Sequence, residues 1–234
     1  MQETIELYGD GIGKVQYIDH MGDDKRVVNA ARVSFGNDSV EPMLPKDEKL
    51  LRYLMKHQHT SPFEHNTITW KFTVPLFVRG QHHRHRTWSY NEISRRYTDK
   101  DLQFYLPKSF RTQHESNRQA SNEDEIDPAV HIFAEEYINA SELVRDGCSY
   151  AMADYEALLE AGVCREQARM ILPQNMYTEY YGTVNLLNAM KFIKLRIDSH
   201  AQKEIQLVAE AMLTHLKELF PVSMTAFDEL VLDK

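Results

Sequence analysis

The chain has 234 residues, 42% of them hydrophobic and 26% charged, with a formal net charge of −8 at neutral pH. This composition fits a globular protein with a buried core, and the acidic balance excludes a general polyanion binder. Any phosphate site must therefore be local. No apolar run reaches membrane-spanning length and the N-terminus lacks the shape of a signal peptide, so we expect a cytoplasmic protein with no membrane partner.

The first third of the chain predicts two strands and three helices. Residues 14–19 alternate as a strand, and Asp23 or Asp24 caps a helix. A second helix is predicted over 46–57 and a third over 76–85, opened by a proline. Between them lies the clearest strand, because four apolar residues alternate with polar ones. These apolar residues are Ile68, Trp70, Phe72 and Val74.

The remainder predicts mostly helix. Residues 111–128 are polar and acidic, which favours a loop or insertion without chemistry of its own. Pro128 is expected to start a long helix that ends near Gly162. The later elements are a short helix over 163–171, a strand over 176–184, and helices beginning at Asn185, at a capping box on Ser199 and at Pro221. Together the elements predict one α+β domain over 1–234, helix-rich around a modest antiparallel sheet.

Residues 81–97 form a basic strip with four arginines and three histidines. Guanidinium groups bind phosphate through two parallel hydrogen bonds, which predicts a site for a phosphorylated small molecule. The strip is interleaved with aromatic residues, Trp88, Tyr90 and Tyr97, so a nucleic-acid-binding module that stacks bases is the alternative. A solvated charged surface is the third interpretation.

Other polar residues recur in amphipathic elements. They are His59, Ser61 and Glu64, then Glu166 and Arg169, and finally Asn185, Arg196 and His200. The predicted cap at Ser199 places a bend between Arg196 and His200. The histidines raise the hypothesis of a metal-dependent hydrolase, but they lack paired ligand spacing and adjoin arginines that repel a cation, so no metal is predicted.

The run Arg84-His85-Arg86, followed after seven residues by Ser94 and then by Arg96, resembles the signature of the flavin-dependent thymidylate synthases. Further segments are similar to that family's motifs and follow its order. They are residues 31–35, 59–65, 166–169 with Leu172-Pro173, and 195–202.

The resemblance implies an enzyme that converts dUMP to dTMP with methylenetetrahydrofolate as carbon donor and FAD, reduced by NADPH, as hydride carrier. It also implies a homotetramer with sites shared between subunits. The positions implied for dUMP are Gln81, Arg84, Glu92, Ser94, Arg95, Arg96, Arg169 and Arg196. Those implied for FAD are Ser34, Ser61, Glu64, Arg84, His85, Arg86, Asn185 and His200. The catalytic positions are Arg196, Arg84 and His59, the last on the folate side.

Two positions depart from the family pattern. Leu187 stands where some relatives carry an arginine, and Lys191 replaces an asparagine.

The chemistry needs no covalent enzyme nucleophile, since a guanidinium that polarises uracil lets carbon 5 attack the one-carbon unit. We therefore interpret Ser94 as a nucleotide ligand, because no adjacent general base is predicted for it.

Overall fold

The computed structural model describes residues 3–37, 39–98, 100–118, 120–133 and 136–232, and its elements form an α+β fold, which confirms the predicted class. The strands are β1 (Thr4–Glu6), β2 (Lys14–Met21), β3 (Thr67–Pro75), β4 (Ser89–Glu92), β5 (Phe110–Gln113), β6 (Ser121–Ile126), β7 (Ala129–Phe133), β8 (Glu136–Asn139) and β9 (Tyr177–Asn185). The helices are α1 (Asp24–Arg32), α2 (Pro45–Lys56), α3 (Leu76–His82), α4 (Ala140–Glu160), α5 (Arg165–Ala168), α6 (Leu186–Arg196), α7 (Lys203–Leu219) and α8 (Pro221–Phe227). Short 3₁₀ turns cover Val33–Phe35, Ser61–His65 and Arg169–Ile171, and a π-helical turn covers Asp228–Leu232.

The main sheet has the strand order β1-β2-β3-β9-β4. Strand β3 has the alternation that the sequence predicted, and its four apolar side chains are fully buried. Strands β1 and β4 were missed because one is short and the other lies in the polar strip, where no apolar alternation marks it.

The described chain forms two compact units. The first comprises Met1–Phe72, Gln81–Asn91 and Tyr180–Lys234, and the second comprises Thr73–Gly80 and Glu92–Glu179. The prediction of one domain stays a prediction, which a single cooperative unfolding transition in calorimetry would support.

The core of the first unit is aromatic. Phe72 stacks on Tyr180 with ring centroids 5.1 Å apart, and His82 meets Phe72 edge-on at 4.8 Å. The Trp70 indole donates to His215 Nδ1 at 3.2 Å, so its polar atom is satisfied inside the core. Burial lowers the pKa of His82 well below its ordinary value, with a further contribution from nearby cationic side chains, so this histidine is neutral.

The second unit is built around α4. Tyr155 on α4 packs with Ala168, Leu172 and Met176 in a small buried cluster. Tyr177 N donates to Gln103 O at 2.8 Å, which ties the start of β9 to the chain that follows the basic strip. This packing fixes the segment between α5 and β9, where Arg169 lies.

The predictions for residues 111–139 need correction. The described part of 111–128 is not a loop throughout, because β5 and β6 pair as an antiparallel hairpin, and the alternative of an insertion stays a prediction. The long helix begins at Ala140 and not at Pro128, since β7 and β8 form a second hairpin. Pro128 O instead accepts from Ala140 N at 3.0 Å, and Glu142 accepts from Asn139 N at 3.1 Å, so the helix begins twelve residues later than expected.

Two helix ends also differ. Helix α3 ends at His82, three residues before the predicted end, and residues 83–87 follow as turns. The capping box at Ser199 is not formed, because α7 begins after Gln202. Gln206 Nε2 donates to Ala201 O at 2.6 Å and holds the preceding turn. The predicted bend between Arg196 and His200 is confirmed, since α6 ends at Arg196.

Asp47 on α2 anchors two cations in the first unit, and its replacement is expected to destabilise the fold. The fully buried carboxylate accepts from Lys25 Nζ at 2.9 Å and pairs with Arg32 at 2.5 Å. Burial alone would raise the pKa of Asp47, but these hydrogen bonds and one from Leu44 N hold the pKa below its ordinary value. We expect Asp47→Asn to lower the free energy of unfolding by about 1.5–3 kcal/mol at pH 7, because it removes charge-assisted hydrogen bonds from two partly buried cations.

The depressed pKa fixes the direction of the pH dependence. The ionised carboxylate stabilises the fold above its unfolded-state pKa of about 3.9, and this stabilisation is lost as pH falls through the folded-state pKa. Urea unfolding at pH 7 and pH 3 should show a smaller difference between Asp47→Asn and wild type at the lower pH. Glu48→Gln, on the neighbouring exposed residue, is the control. Equal stability of both variants at pH 7 would contradict the ion-pair account.

Candidate active site

A cleft of about 710 Å³ in the second unit contains several of the residues assigned to dUMP. We call it the arginine cleft, because Arg79, Arg95 and Arg169 line it together with Glu92 and Ser94. Glu92 ends β4, Ser94 and Arg95 follow it, and Arg169 begins the 3₁₀ turn after α5. Strand pairing and the α4 packing thus bring the basic strip and the later arginine to one cleft.

The carboxylate of Glu92 is held inside the arginine cleft. Its Oε1 accepts from Arg79 Nε at 3.1 Å and from Thr178 Oγ1 at 2.6 Å. The paired charge of Arg79 compensates the carboxylate, so it does not expel an anion from the cleft. Sequence reasoning missed Arg79 and Thr178, because only the fold brings them to Glu92.

Arg96 and Arg169 are both linked to Glu166. Arg96 Nε lies 3.3 Å from a Glu166 carboxylate oxygen, and Arg169 Nε donates to Glu166 O at 3.3 Å. The ion pair is solvent-exposed, so it contributes little stability and an anionic ligand can displace the carboxylate. The two guanidinium groups remain available for a phosphate.

Ser94 begins the turn that carries Arg96. Its Oγ accepts from Arg96 N at 3.3 Å, and its carbonyl accepts from Tyr97 N at 3.0 Å. A backbone amide cannot take a proton from the hydroxyl, so this contact orients Ser94 without activating it as a nucleophile. Arg95 donates to Lys100 O at 2.7 Å, which fixes the far side of the same segment.

A second cavity, of about 610 Å³, lies in the first unit and is cationic. We call it the histidine pocket. Its lining consists of Arg84, His85, Arg86, Thr87, Asn188 and Lys191. The lysine that departs from the family pattern therefore adds a positive charge to this pocket, while Leu187 is buried in the core.

Arg196, at the last position of α6, is held by two acceptors. Its Nε donates to His85 Nε2 and its Nη2 donates to Gln81 O, both at 3.2 Å. Burial and the nearby Arg196 charge lower the pKa of His85 to about 4, so the imidazole is neutral near pH 7. Burial also lowers the pKa of Arg196. The side-chain amide of Gln81 donates to Gln202 Oε1, which links the residue that precedes α7 to the same network.

The other residues assigned to FAD lie elsewhere in the first unit. Glu64 lines a third cavity, of about 880 Å³, beside α1. Ser34 and Ser61 are exposed on 3₁₀ turns and do not line it. Asn185 caps α6, since its Oδ1 accepts from Asn188 N at 2.9 Å. His200 is exposed and its Nδ1 lies 2.8 Å from Asp198 Oδ1.

His59 lies at the surface between α2 and the 3₁₀ turn of Ser61–His65. Its amide donates to Leu54 O at 2.9 Å, and its ring lies 5.9 Å from that of Tyr53. The structure does not bring His59 into any of the three cavities described above.

The alternative of a nucleic-acid-binding strip loses two of its three stacking residues. Trp88 is only 7% exposed, and the hydroxyl of Tyr90 bonds to backbone carbonyls, whereas Tyr97 is 78% exposed.

Within the described residues, no group of three or more histidine, cysteine, aspartate or glutamate side chains could hold a metal ion. No helix in that part of the chain is long and apolar enough to cross a membrane.

Comparisons with known proteins agree over nearly the whole chain. Residues 16–222 match the family model described as thymidylate synthase complementing protein. A flavin-dependent thymidylate synthase of Thermus thermophilus is 43% identical over 94% of this chain and 77% of its own length. Another, of Kosmotoga olearia, is 41% identical over 92% of this chain and 90% of its own length.

Solved structures also match nearly the whole chain. The UMP/dUMP methylase PolB from Streptomyces cacaoi, bound with 5-Br dUMP, superposes with a TM-score of 0.77. It is 34% identical, and the match covers 96% of this chain and 97% of that one. The same methylase bound with 5-Br UMP gives a TM-score of 0.73. The chain belongs to the flavin-dependent thymidylate synthase family.

Proposed function

We propose that this protein methylates dUMP to dTMP, with a flavin as redox cofactor. The observation that carries the proposal is the arginine cleft, where a compensated carboxylate lies among arginines that can hold a nucleotide phosphate. The names of the relatives and of the dUMP-bound methylase support the same reaction. Finer assignments follow from the family pattern together with the chemistry of the residues.

The phosphate of dUMP is assigned to the arginine cleft. Arg169 and Arg96 supply forked cationic donors, and Ser94 and the Arg95 backbone supply neutral ones. Glu92, fixed by Arg79 and Thr178, accepts a hydrogen bond from the sugar or the base. A dianionic phosphate replaces the exposed Glu166 carboxylate at Arg96 because it offers more charge and more acceptor oxygens.

The uracil ring is assigned to Arg196, Arg84 and Gln81. Arg196 is charged, half-buried and held in place, so it can stabilise negative charge that develops on the pyrimidine when carbon 5 attacks the one-carbon unit. No covalent enzyme nucleophile is needed for this step. His59 is proposed to act on the folate side.

The histidine pocket fits the phosphates of FAD. Arg84, Arg86 and Lys191 give three cationic donors, and the neutral His85 leaves a further ring nitrogen available as a donor. We assign FAD also to Ser34, Ser61, Glu64, Asn185 and His200. When bound, the flavin supplies hydride transfer, and the protein supplies binding, orientation and exclusion of water.

Further parts of the proposal concern co-substrates and assembly. NADPH is the reductant, methylenetetrahydrofolate is the carbon donor, and the enzyme is a cytoplasmic homotetramer whose sites are shared between subunits. Reconstitution with FAD tests the cofactor directly: the protein should turn yellow, and NADPH should bleach the flavin absorbance. Protein that stays colourless at saturating FAD would contradict flavin dependence.

Ser94→Ala is expected to leave kcat at saturating dUMP within about tenfold of wild type, because a ligand of the phosphate contributes mainly to binding, and saturation removes that contribution from kcat. A catalytic nucleophile would instead lose several orders of magnitude. The measurement is kcat for dTMP formation, with Ser89→Ala on the same strip as the control. Complete loss of turnover with intact dUMP and FAD binding would restore Ser94 as a nucleophile.

A further inference from the structure

Tyr90, in β4, bonds to the turn that carries Arg84 and His85. Its single hydroxyl proton is shared between two acceptors, His82 O at 3.0 Å and His85 O at 3.2 Å. The turn is also closed by its own backbone, since His85 N donates to His82 O at 3.0 Å. One phenol therefore holds both ends of a four-residue segment.

The environment of Tyr90 keeps the hydroxyl protonated and in place. Burial raises its pKa well above the ordinary tyrosine value, so it remains a donor at every working pH. Its ring lies 4.1 Å from that of His83 and stacks parallel to that of Trp88. Packing on both sides leaves the hydroxyl few alternative positions.

In the hydrogen bond between His85 and Arg196, only Arg196 can be the donor. A guanidinium has no acceptor, so His85 Nε2 must accept and the ring must be neutral, with its proton on Nδ1. A protonated His85 would present an N–H to Arg196 and lose the contact. The position of the imidazole, together with that of Gln81 O, thus determines where the Arg196 guanidinium is held.

We propose that Tyr90 is a positioning residue for Arg196, because its hydroxyl fixes the turn that offers His85 Nε2 to the guanidinium. The three residues form a relay from β4 through the turn to the end of α6. The family pattern assigns no role to Tyr90, and Tyr90 lines none of the three cavities. Its hydroxyl bonds to backbone carbonyls. The proposal depends on the proposed function only for the role of Arg196 toward dUMP.

The test is Tyr90→Phe, which removes the hydroxyl and keeps the ring. Tyr17→Phe is the matched control, since it removes a hydroxyl that bonds to His20 Nδ1 at 2.6 Å on β2. Histidine-ring NMR on the full chain without added nucleotide measures the pKa of His85, whose signal is identified by its loss in His85→Gln. Arg84, Arg86 and Lys191 line the same pocket, so their charges are constant between the variants.

Wild type and Tyr17→Phe should titrate His85 near pKa 4. In Tyr90→Phe the turn loosens, the ring gains water and separates from Arg196, and the pKa should rise by about one unit or more toward its ordinary value near 6.5. The dUMP affinity should fall about tenfold in Tyr90→Phe. In a protein that already carries Arg196→Ala, adding Tyr90→Phe should not lower the affinity further. A purely structural tyrosine would change the melting temperature without this coupling.

An unchanged His85 pKa in folded Tyr90→Phe overturns the relay. If that variant does not fold, His85→Gln and His85→Leu replace it, because glutamine keeps an acceptor and leucine does not. Equal loss of dUMP affinity in both also overturns the relay, whereas a loss confined to leucine supports it. If Arg196→Ala leaves dUMP affinity and turnover unchanged, the role of Arg196 in the proposed function fails, and the His85 titration still decides the relay.

Discussion

Arg196→Ala is expected to reduce turnover of dUMP by about 10²–10³-fold, the cost of removing one preorganised donor to a developing charge. Arg196 is half-buried and is held by His85 and Gln81, so little reorganisation is needed when charge appears on the pyrimidine. Lysine cannot reproduce the planar fork, and Arg196→Lys should recover only part of the lost rate.

The measurement is kcat for dTMP formation at saturating dUMP, so that weakened binding does not enter. Lys194→Ala is the control, because Lys194 is an exposed cation in the same last turn of α6. A kcat for Arg196→Ala that matches Lys194→Ala would remove Arg196 from the chemistry.

Arg169→Ala should weaken dUMP binding by about 10–100-fold, since a charge-assisted hydrogen bond contributes about 1.5–3 kcal/mol. We attribute this loss of affinity to the phosphate group. Deoxyuridine, which has no phosphate, should therefore bind Arg169→Ala and wild type with equal affinity. Calorimetric titration of each ligand separates the two cases.

Arg165→Ala provides the matched control for Arg169. Arg165 lies one helical turn earlier on α5 and does not line the arginine cleft. Its loss should leave dUMP affinity within about twofold, as expected for a surface cation outside the site. Equal losses for Arg165→Ala and Arg169→Ala, or equal losses for dUMP and deoxyuridine, would contradict the phosphate assignment.

Elements with a strong periodic pattern could be predicted from the sequence. Strand β3 was clear because its alternation places every second side chain in the core, and α6 because its buried residues follow the helical period. The two hairpins of the second unit could not be read in this way. Residues 121–126 carry three acidic side chains, and their strand is stabilised by pairing with β5, which single-residue propensity does not report.

The candidate site, too, could be predicted from the sequence only in part. The residue types and spacing of the basic strip predicted an anion site, and the fold places Ser94 and Arg95 in one cleft with Arg169. The partners that fix the site were not predictable, because Thr178 lies 86 positions from Glu92 and Arg196 lies 111 positions from His85. Contacts at such separations depend on the tertiary fold and leave no local pattern.

Tritium release from dUMP labelled at carbon 5 tests the proposed function most directly. With FAD, NADPH and methylenetetrahydrofolate present, the protein should release tritium and form dTMP in equal amounts. Omitting the folate, or removing the flavin from the protein, should abolish dTMP formation. Full dTMP formation by flavin-free protein, or none with every component present and dUMP bound, would contradict the assignment.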